Sequence, residues 1–229
     1  MITQYSMKLD SSLPASAGYP LYAALLEQSP RDFGDLVHNL GTTPISQYVC
    51  NDEWRISLLG EEANLAMADI LENLESLELG KLHKTVRITQ LEKRTLWSAD
   101  DFWGAAMPGK LTFVTPTAFK SGGAYQLLPT QRLLLQSLIQ KWNNCFGDNC
   151  FVDDTEETLA LLSHQLRYTG IRLESTGYSL KNTTIPGALG TIRIQPDADS
   201  PLLGALLRFG AFSGVGIKTA LGMGGLLLE

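Results

Sequence analysis

Apolar and polar residues alternate from the second position onward. ITQYSMKLD (residues 2–10) has the period of two that predicts a β-strand. The next segment, SAGYPLYAALLEQSPRDFGDLVHNL, changes to helical spacing, with a break at Ser29-Pro30 where proline ends one helix and can open another. PISQYVC and EWRISLLG return to strand patterning, and Asn51-Asp52 between them predicts a tight turn. EEANLAMADILENLES is amphipathic with acids at its start, which suits the positive end of a helix dipole. KTVRITQLEKRTLW is strand-like again. The order β-α-β-β-α-β is that of a ferredoxin-like split βαβ unit.

The pattern breaks at ADDFWGAAMPGK and then repeats. KLTFVTPTAFK predicts a strand. LPTQRLLLQSLIQKWNNCFG predicts a helix, with Pro129 and Thr130 at its start and Gly147 past its end. TEETLALLSHQ predicts a shorter helix. RYTGIRLESTGYSL and ALGTIRIQPD predict two strands, with KNTTIPG as a turn-rich tip between them. SPLLGALLRFGAF opens on Ser-Pro, a helix start, and GGLLLE closes the chain as a short strand. The expected architecture is α+β: two ferredoxin-like βαββαβ domains in tandem, residues 1–105 and 106–229, with a glycine-rich loop near the end.

Composition narrows the function classes. Hydrophobic residues make up 44% of the 229 and charged ones 18%, as in a globular chain with a real core. No basic segment followed by an apolar run opens the chain, so no signal peptide is expected. The apolar stretch 201–228 is interrupted by Arg208 and Lys218 and is rich in glycine, which argues against a membrane span. Three cysteines (Cys50, Cys145, Cys150) make no even framework, so a reducing, cytoplasmic location is expected. Cys145, Cys150 and His164 are too loosely spaced for a metal site and lack a fourth ligand.

A net charge of −6 argues against a generic nucleic-acid binder, but the charge is uneven. Residues 1–105 hold 8 Lys and Arg against 15 Asp and Glu; residues 106–229 hold 10 against 9. A polyanion should therefore prefer the second half and the cleft between halves.

The densest chemical signal is GAFSGVGIKTALGMGG, residues 210–225, with six glycines. It fails as a nucleotide P-loop, because Ile217 separates Gly216 from Lys218 and a helix precedes it. It fails as a dinucleotide fingerprint, because Thr219 stands where the third glycine belongs and the stretch lies at the wrong end of the chain. Two readings stay open. In one, the glycines allow a tight connection between a helix and a strand. In the other, successive amides and Lys218 follow an RNA backbone.

This stretch resembles the C-terminal glycine-rich loop of the Cas6 family, the CRISPR repeat-RNA processing endoribonucleases among the repeat-associated RNA-binding proteins. FVTPTAFKSGGAYQLLPTQRLLLQSLIQKWN is similar to that family's strand, proline and long helix ending in Trp-Asn. YPLYAALLEQSPRDFGDLVHNLGTTPISQY is similar to its tyrosine-bearing first helix followed by a histidine. The resemblance implies cleavage of precursor CRISPR RNA within the repeat, without a metal or other cofactor. The ribose 2′-OH attacks its own 3′-phosphate, leaving a 5′-OH and a 2′,3′-cyclic phosphate.

Such chemistry needs groups to move two protons and positive charge for the pentacovalent oxygens. The resemblance puts His38 in the proton-transfer role and Tyr22 in a positioning role. Some members carry a lysine a few residues after the histidine. Here that place reads GTTPIS, so Lys218 becomes the candidate cation. Gly214, Gly216, Thr219 and Gly222 of the loop are expected to hold RNA with Lys218, as are Lys120, Ser121, Arg167, Arg172 and Lys181. For each basic residue the alternative is a solvated side chain. The expected partner is repeat RNA; other CRISPR-associated proteins, a fused domain and a homodimer stay open, and no membrane is involved. The missing lysine keeps a second function open, a repeat-binding subunit with little or no cleavage. A ferredoxin-like protein whose glycine stretch only packs is the third.

Overall fold

A computed structural model of the chain describes residues 1–39, 44–104, 106–147, 155–180, 183–196 and 200–229. Its first half contains β1 (Ile2–Leu13), α1 (Gly18–Gln28), α2 (Arg31–Asn39), β2 (Ile45–Leu59), α3 (Glu61–Glu72), β3 (Ser76–Leu79) and β4 (Lys84–Leu96). They form an antiparallel sheet of order β2-β1-β4-β3. The alternation in β1 is functional in packing: Tyr5, Met7 and Leu9 are buried on one face against Leu21 and Leu25 of α1 and Met67 and Leu71 of α3.

β2 runs as strand on both sides of Asn51, and its two ends lie side by side. The Leu59 amide donates to the Pro44 carbonyl at 2.9 Å. A straight strand of that length would separate them by about 45 Å. The fold-back is at Asn51, whose φ of 58° is left-handed. The turn expected at Asn51-Asp52 is therefore present, and the order is consistent with β-α-β-β-α-β, with β3 as an added edge strand.

The second half contains β5 (Lys110–Thr117), β6 (Phe119–Ser121), β7 (Ala124–Gln126), α4 (Gln131–Phe146), α5 (Thr155–Gln165), β8 (Leu166–Leu180), β9 (Thr183–Pro196), α6 (Pro201–Ser213) and β10 (Leu226–Leu228). The main sheet runs β10-β5-β9-β8, all antiparallel. α4 begins as expected: the Thr130 hydroxyl accepts from the Leu133 amide at 3.3 Å, and Gly147 follows its last residue. Leu134, Leu138 and Trp142 of α4 meet Leu203, Leu207 and Phe209 of α6 in the core. Phe102, on the first side of the expected boundary, packs edge-on to Trp142, Phe209 and Phe212 of the second core, with centroids 5.6–5.7 Å apart.

Two expectations change. TTIPG is strand, not hairpin tip: Thr176 to Leu180 of β8 pair with Gly187 to Thr183 of β9. Pro186 is tolerated because, among the described residues, β9 has no paired strand on its other side there, its pairing with β5 reaching only to Ala188. The second change is an unforeseen hairpin, β6–β7, turning on Gly122 and Gly123, both at positive φ. The signal for it was a Gly-Gly pair flanked by short strand-like runs. Among the described residues, no helix is long and apolar enough to cross a membrane.

Candidate active site

One contact between the two halves is made where the N-terminus of α1, at Gly18, approaches Leu221 and Gly222 of the glycine stretch. Gln47, buried on β2, holds this junction. Its side-chain amide donates to the carbonyls of Gly18 at 2.7 Å and Ala220 at 2.9 Å, and its oxygen accepts from the Trp54 indole at 2.9 Å. From the other half, the hydroxyl of Tyr178 on β8 lies against the carbonyls of Ala15 and Leu221. Burial raises its pKa above the ordinary tyrosine value, so it stays a neutral donor.

The glycines let this contact close. A methyl group on Gly222 would sit 2.9 Å from Gly18 Cα and 2.6 Å from the Tyr178 hydroxyl. One on Gly224 would sit 2.1 Å from the Val215 carbonyl oxygen. The amides are largely committed too. Val215 donates to Gly224 O, Gly216 to Ser137 Oγ, Ile217 to Ala118 O, Gly224 to Pro116 O and Gly225 to Thr115 Oγ1, all at 2.7–3.1 Å. Of the two readings left open, the hydrogen bonds favour the first: most of the stretch is a packed connection, because its N–H groups close the loop onto the β5–β6 segment and α4.

What remains outward is Lys218. It is the exposed residue of 214–225 and has a left-handed φ of 58°. Its carbonyl accepts from the amides of Leu221 and Met223, at 2.9 and 3.3 Å, which holds that conformation. Thr219 is turned inward and its hydroxyl meets Lys141 Nζ at 3.1 Å. Lys141 also donates to the carbonyls of Ser213 and Gly214, at 3.1 and 3.0 Å, at the C-terminus of α6. All three ammonium protons are thereby used, at the negative end of a helix dipole. Burial nevertheless pushes its pKa down to about 7, since none of these acceptors is a carboxylate. Sequence reading missed Lys141, whose only signal was a cation on the polar side of α4.

Beside Lys218 lies a groove of about 730 Å³ between the halves. Its walls include Tyr22 and Tyr19 of α1, Val37 of α2, Tyr125 of β7, and Leu180 and Thr183, the facing pair where β8 ends and β9 begins. Among the described residues lining it, Lys218 is the one cation and Glu27 the one carboxylate. The structure therefore brings Tyr22 and Lys218 to the same cavity. His38 lies on α2 directly after the wall residue Val37; its side chain is outside the described residues. Lys181 is also outside them, between the wall residues Leu180 and Thr183.

Other candidates lie elsewhere. Lys120 and Ser121 are exposed on β6, and Lys120 faces Tyr125 across the hairpin. Arg172 and Arg167 are exposed on β8, about 26 and 43 Å of extended strand from Leu180. Neither lines the groove. Gly214 and Gly222 are buried. Tyr19 and Tyr125 were not foreseen; both bring an aromatic ring to the groove, the kind of surface on which bases stack.

Residues 111–226 match the family model described as CRISPR-associated endoribonuclease Cas6. The chain is 31% identical over 216 residues to the CRISPR-associated endoribonuclease Cas6 of Streptococcus thermophilus, covering 90% of this chain and 88% of that one. It is 29% identical over 240 residues to the protein of the same name from Mycobacterium tuberculosis, covering 96% and 74%. Among solved structures, a Cas6 product complex superposes with a TM-score of 0.79 at 22% identity over 100% of both chains. Thermus thermophilus Cas6 superposes at 0.76 and 21%, over 100% of this chain and 98% of that one. These two show likeness of fold.

Proposed function

Because the chain belongs to the Cas6 family of CRISPR-associated endoribonucleases, we propose that it binds the repeat of a precursor CRISPR RNA in the groove beside Lys218 and cleaves it there. The observation that carries this reading is the shared cavity. Tyr22 and the helix bearing His38, both near the start of the chain, and Lys218, near its end, border one opening. In the finer reading, two ferredoxin-like domains, 1–105 and 106–229, form the two walls. The glycine-rich stretch is the joint that presents Lys218.

The chemistry is an internal transfer at phosphorus. The 2′-oxygen attacks, the bond from phosphorus to the 5′-oxygen breaks, and the proton lost from the 2′-OH is balanced by one gained at the leaving 5′-oxygen. His38 serves proton transfer, Tyr22 orients the reacting ribose and phosphate, and the Lys218 ammonium meets the charge that builds on the pentacovalent oxygens. Holding the 2′-oxygen in line supplies much of the acceleration.

The test is incubation of repeat RNA with the protein in EDTA. Cleavage at one position, with 5′-OH and 2′,3′-cyclic phosphate ends, is expected, and His38→Ala should abolish it while binding persists. Tight, repeat-specific binding with the RNA left intact would instead identify a non-cleaving repeat-binding subunit. The absent lysine in GTTPIS favours that second reading.

A further inference from the structure

We propose that a second cavity, across the Lys218–Tyr125 pair from the groove, is a pocket for one unpaired nucleotide of the repeat RNA, adjacent to the nucleotides at the cleavage site. This rests on repeat RNA occupying the groove. The cavity measures about 440 Å³, within the range of small-ligand sites. Tyr125, Lys218 and Leu221 line both openings, so a strand leaving the groove over Lys218 arrives directly at the second one.

Its walls have the chemistry of a nucleotide site. One wall is the polar face of α4: Ser137, Gln140, Lys141 and Asn144 are spaced by three, one and three residues and so share a side of the helix. The other is the glycine stretch from Gly216 to Leu221. The β6–β7 hairpin overhangs both, with Lys120 and Tyr125 as a facing cross-strand pair. Tyr125 is 45% exposed, an open ring for stacking.

Cations and neutral amides divide the work. Lys120 and Lys218 are exposed cations at its border, Lys141 lines it with its ammonium already engaged by Ser213, Gly214 and Thr219, and no carboxylate lines the cavity among the described residues. A phosphate is therefore favoured there. The carboxamides of Gln140 and Asn144 are exposed and make no hydrogen bond among the described residues. A carboxamide pairs with a base edge through one donor and one acceptor. Phosphate alone would leave that capacity unused, and an acidic peptide would leave the aromatic ring without a stacking partner. A paired base cannot enter, because its edge is turned into the duplex and its faces are covered by neighbours; an unpaired one can.

The test uses the full chain and a synthetic repeat RNA made uncleavable by a 2′-deoxy substitution at the cleaved position. Single abasic sites are placed at successive positions on both sides of the scissile phosphate. With the wild-type protein, one abasic position within a few nucleotides of that phosphate should weaken binding about 10-fold. In the Tyr125→Ala/Gln140→Ala double variant, that position should lose its effect, with the abasic and intact RNAs binding equally. Both side chains are exposed, and Asn144→Ala, on the next turn of α4, gives an independent second variant that should reduce the same penalty. Equal penalties in wild type and variants at every position would overturn the pocket. So would a flat scan with the wild type, provided intact repeat still binds better than random RNA of the same length. Loss of that preference would overturn the groove reading itself, and the pocket with it.

Discussion

Lys141 on α4 and Thr219 in the glycine stretch are joined by a 3.1 Å contact between ammonium and hydroxyl. Through it, a helix of the second half fixes the residue that follows Lys218. Because the same ammonium also holds the last carbonyls of α6, it pins both ends of the segment Ser213–Thr219.

Replacing Lys141 with Met should leave those carbonyls without their donor. A loss of about 2 kcal/mol of stability is expected, read from urea unfolding. The pH dependence has a defined sign. The folded-state pKa of about 7 lies below the ordinary lysine value, so between pH 7 and about 10 the unfolded chain binds the extra proton. Wild-type stability should rise across that window relative to Lys141→Met. Parallel curves for the two proteins would contradict this.

Lys218 separates backbone from side chain. Its left-handed φ is costly for lysine and free for glycine. Lys218→Gly should therefore stabilise the fold by about 1 kcal/mol, seen as a higher Tm. The same change should slow repeat cleavage and lower the slope of log binding against log salt by about one. A variant that lost both stability and activity would show that the side chain supports the fold.

Gln47 should behave as a clamp. Gln47→Leu leaves the Trp54 indole and the carbonyls of Gly18 and Ala220 buried without their partner. Destabilisation of about 3 kcal/mol is expected in a thermal or urea melt. Gln47→Glu retains an acceptor for Trp54 but no donor for the two carbonyls, so it should not rescue.

Glycines should divide by what surrounds them. Gly224→Ala places a methyl group 2.1 Å from a carbonyl oxygen at a left-handed residue and should prevent stable folding. Gly34→Ala, in α2, meets nothing within 4 Å and should stabilise by about 0.5–1 kcal/mol. Paired melts of the two variants test the contrast.

Most elements were legible because their signals are local. The period of β1, the Thr130 cap of α4 and the turn at Asn51-Asp52 depend on residues near one another in the chain. Where an element depended on its surroundings, reading failed. Pro186 and Gly187 looked like loop, but their strand exists because β8 supplies a partner on the one side that needs it. The candidate site divides in the same way. Tyr22 was singled out by resemblance to a family motif, and Lys218 because the lysine some members carry after the histidine is absent. Tyr125, Tyr19 and Lys141 were missed, since a tyrosine in a short hairpin or a lysine on a helix has no distinguishing neighbour in sequence.

The sequence by itself determined the period of each element, the uneven charge and the singularity of the glycine stretch, all of which follow from side-chain chemistry along the chain. Tertiary structure decided how that stretch packs. Cβ atoms would collide at Gly222 and Gly224 only because α1, Tyr178 and Val215 lie there, and an amide is open or engaged only according to the carbonyl that reaches it. Those contacts turn an apparent cradle of glycines into a packed joint that carries one exposed cation, Lys218, to the edge of the groove.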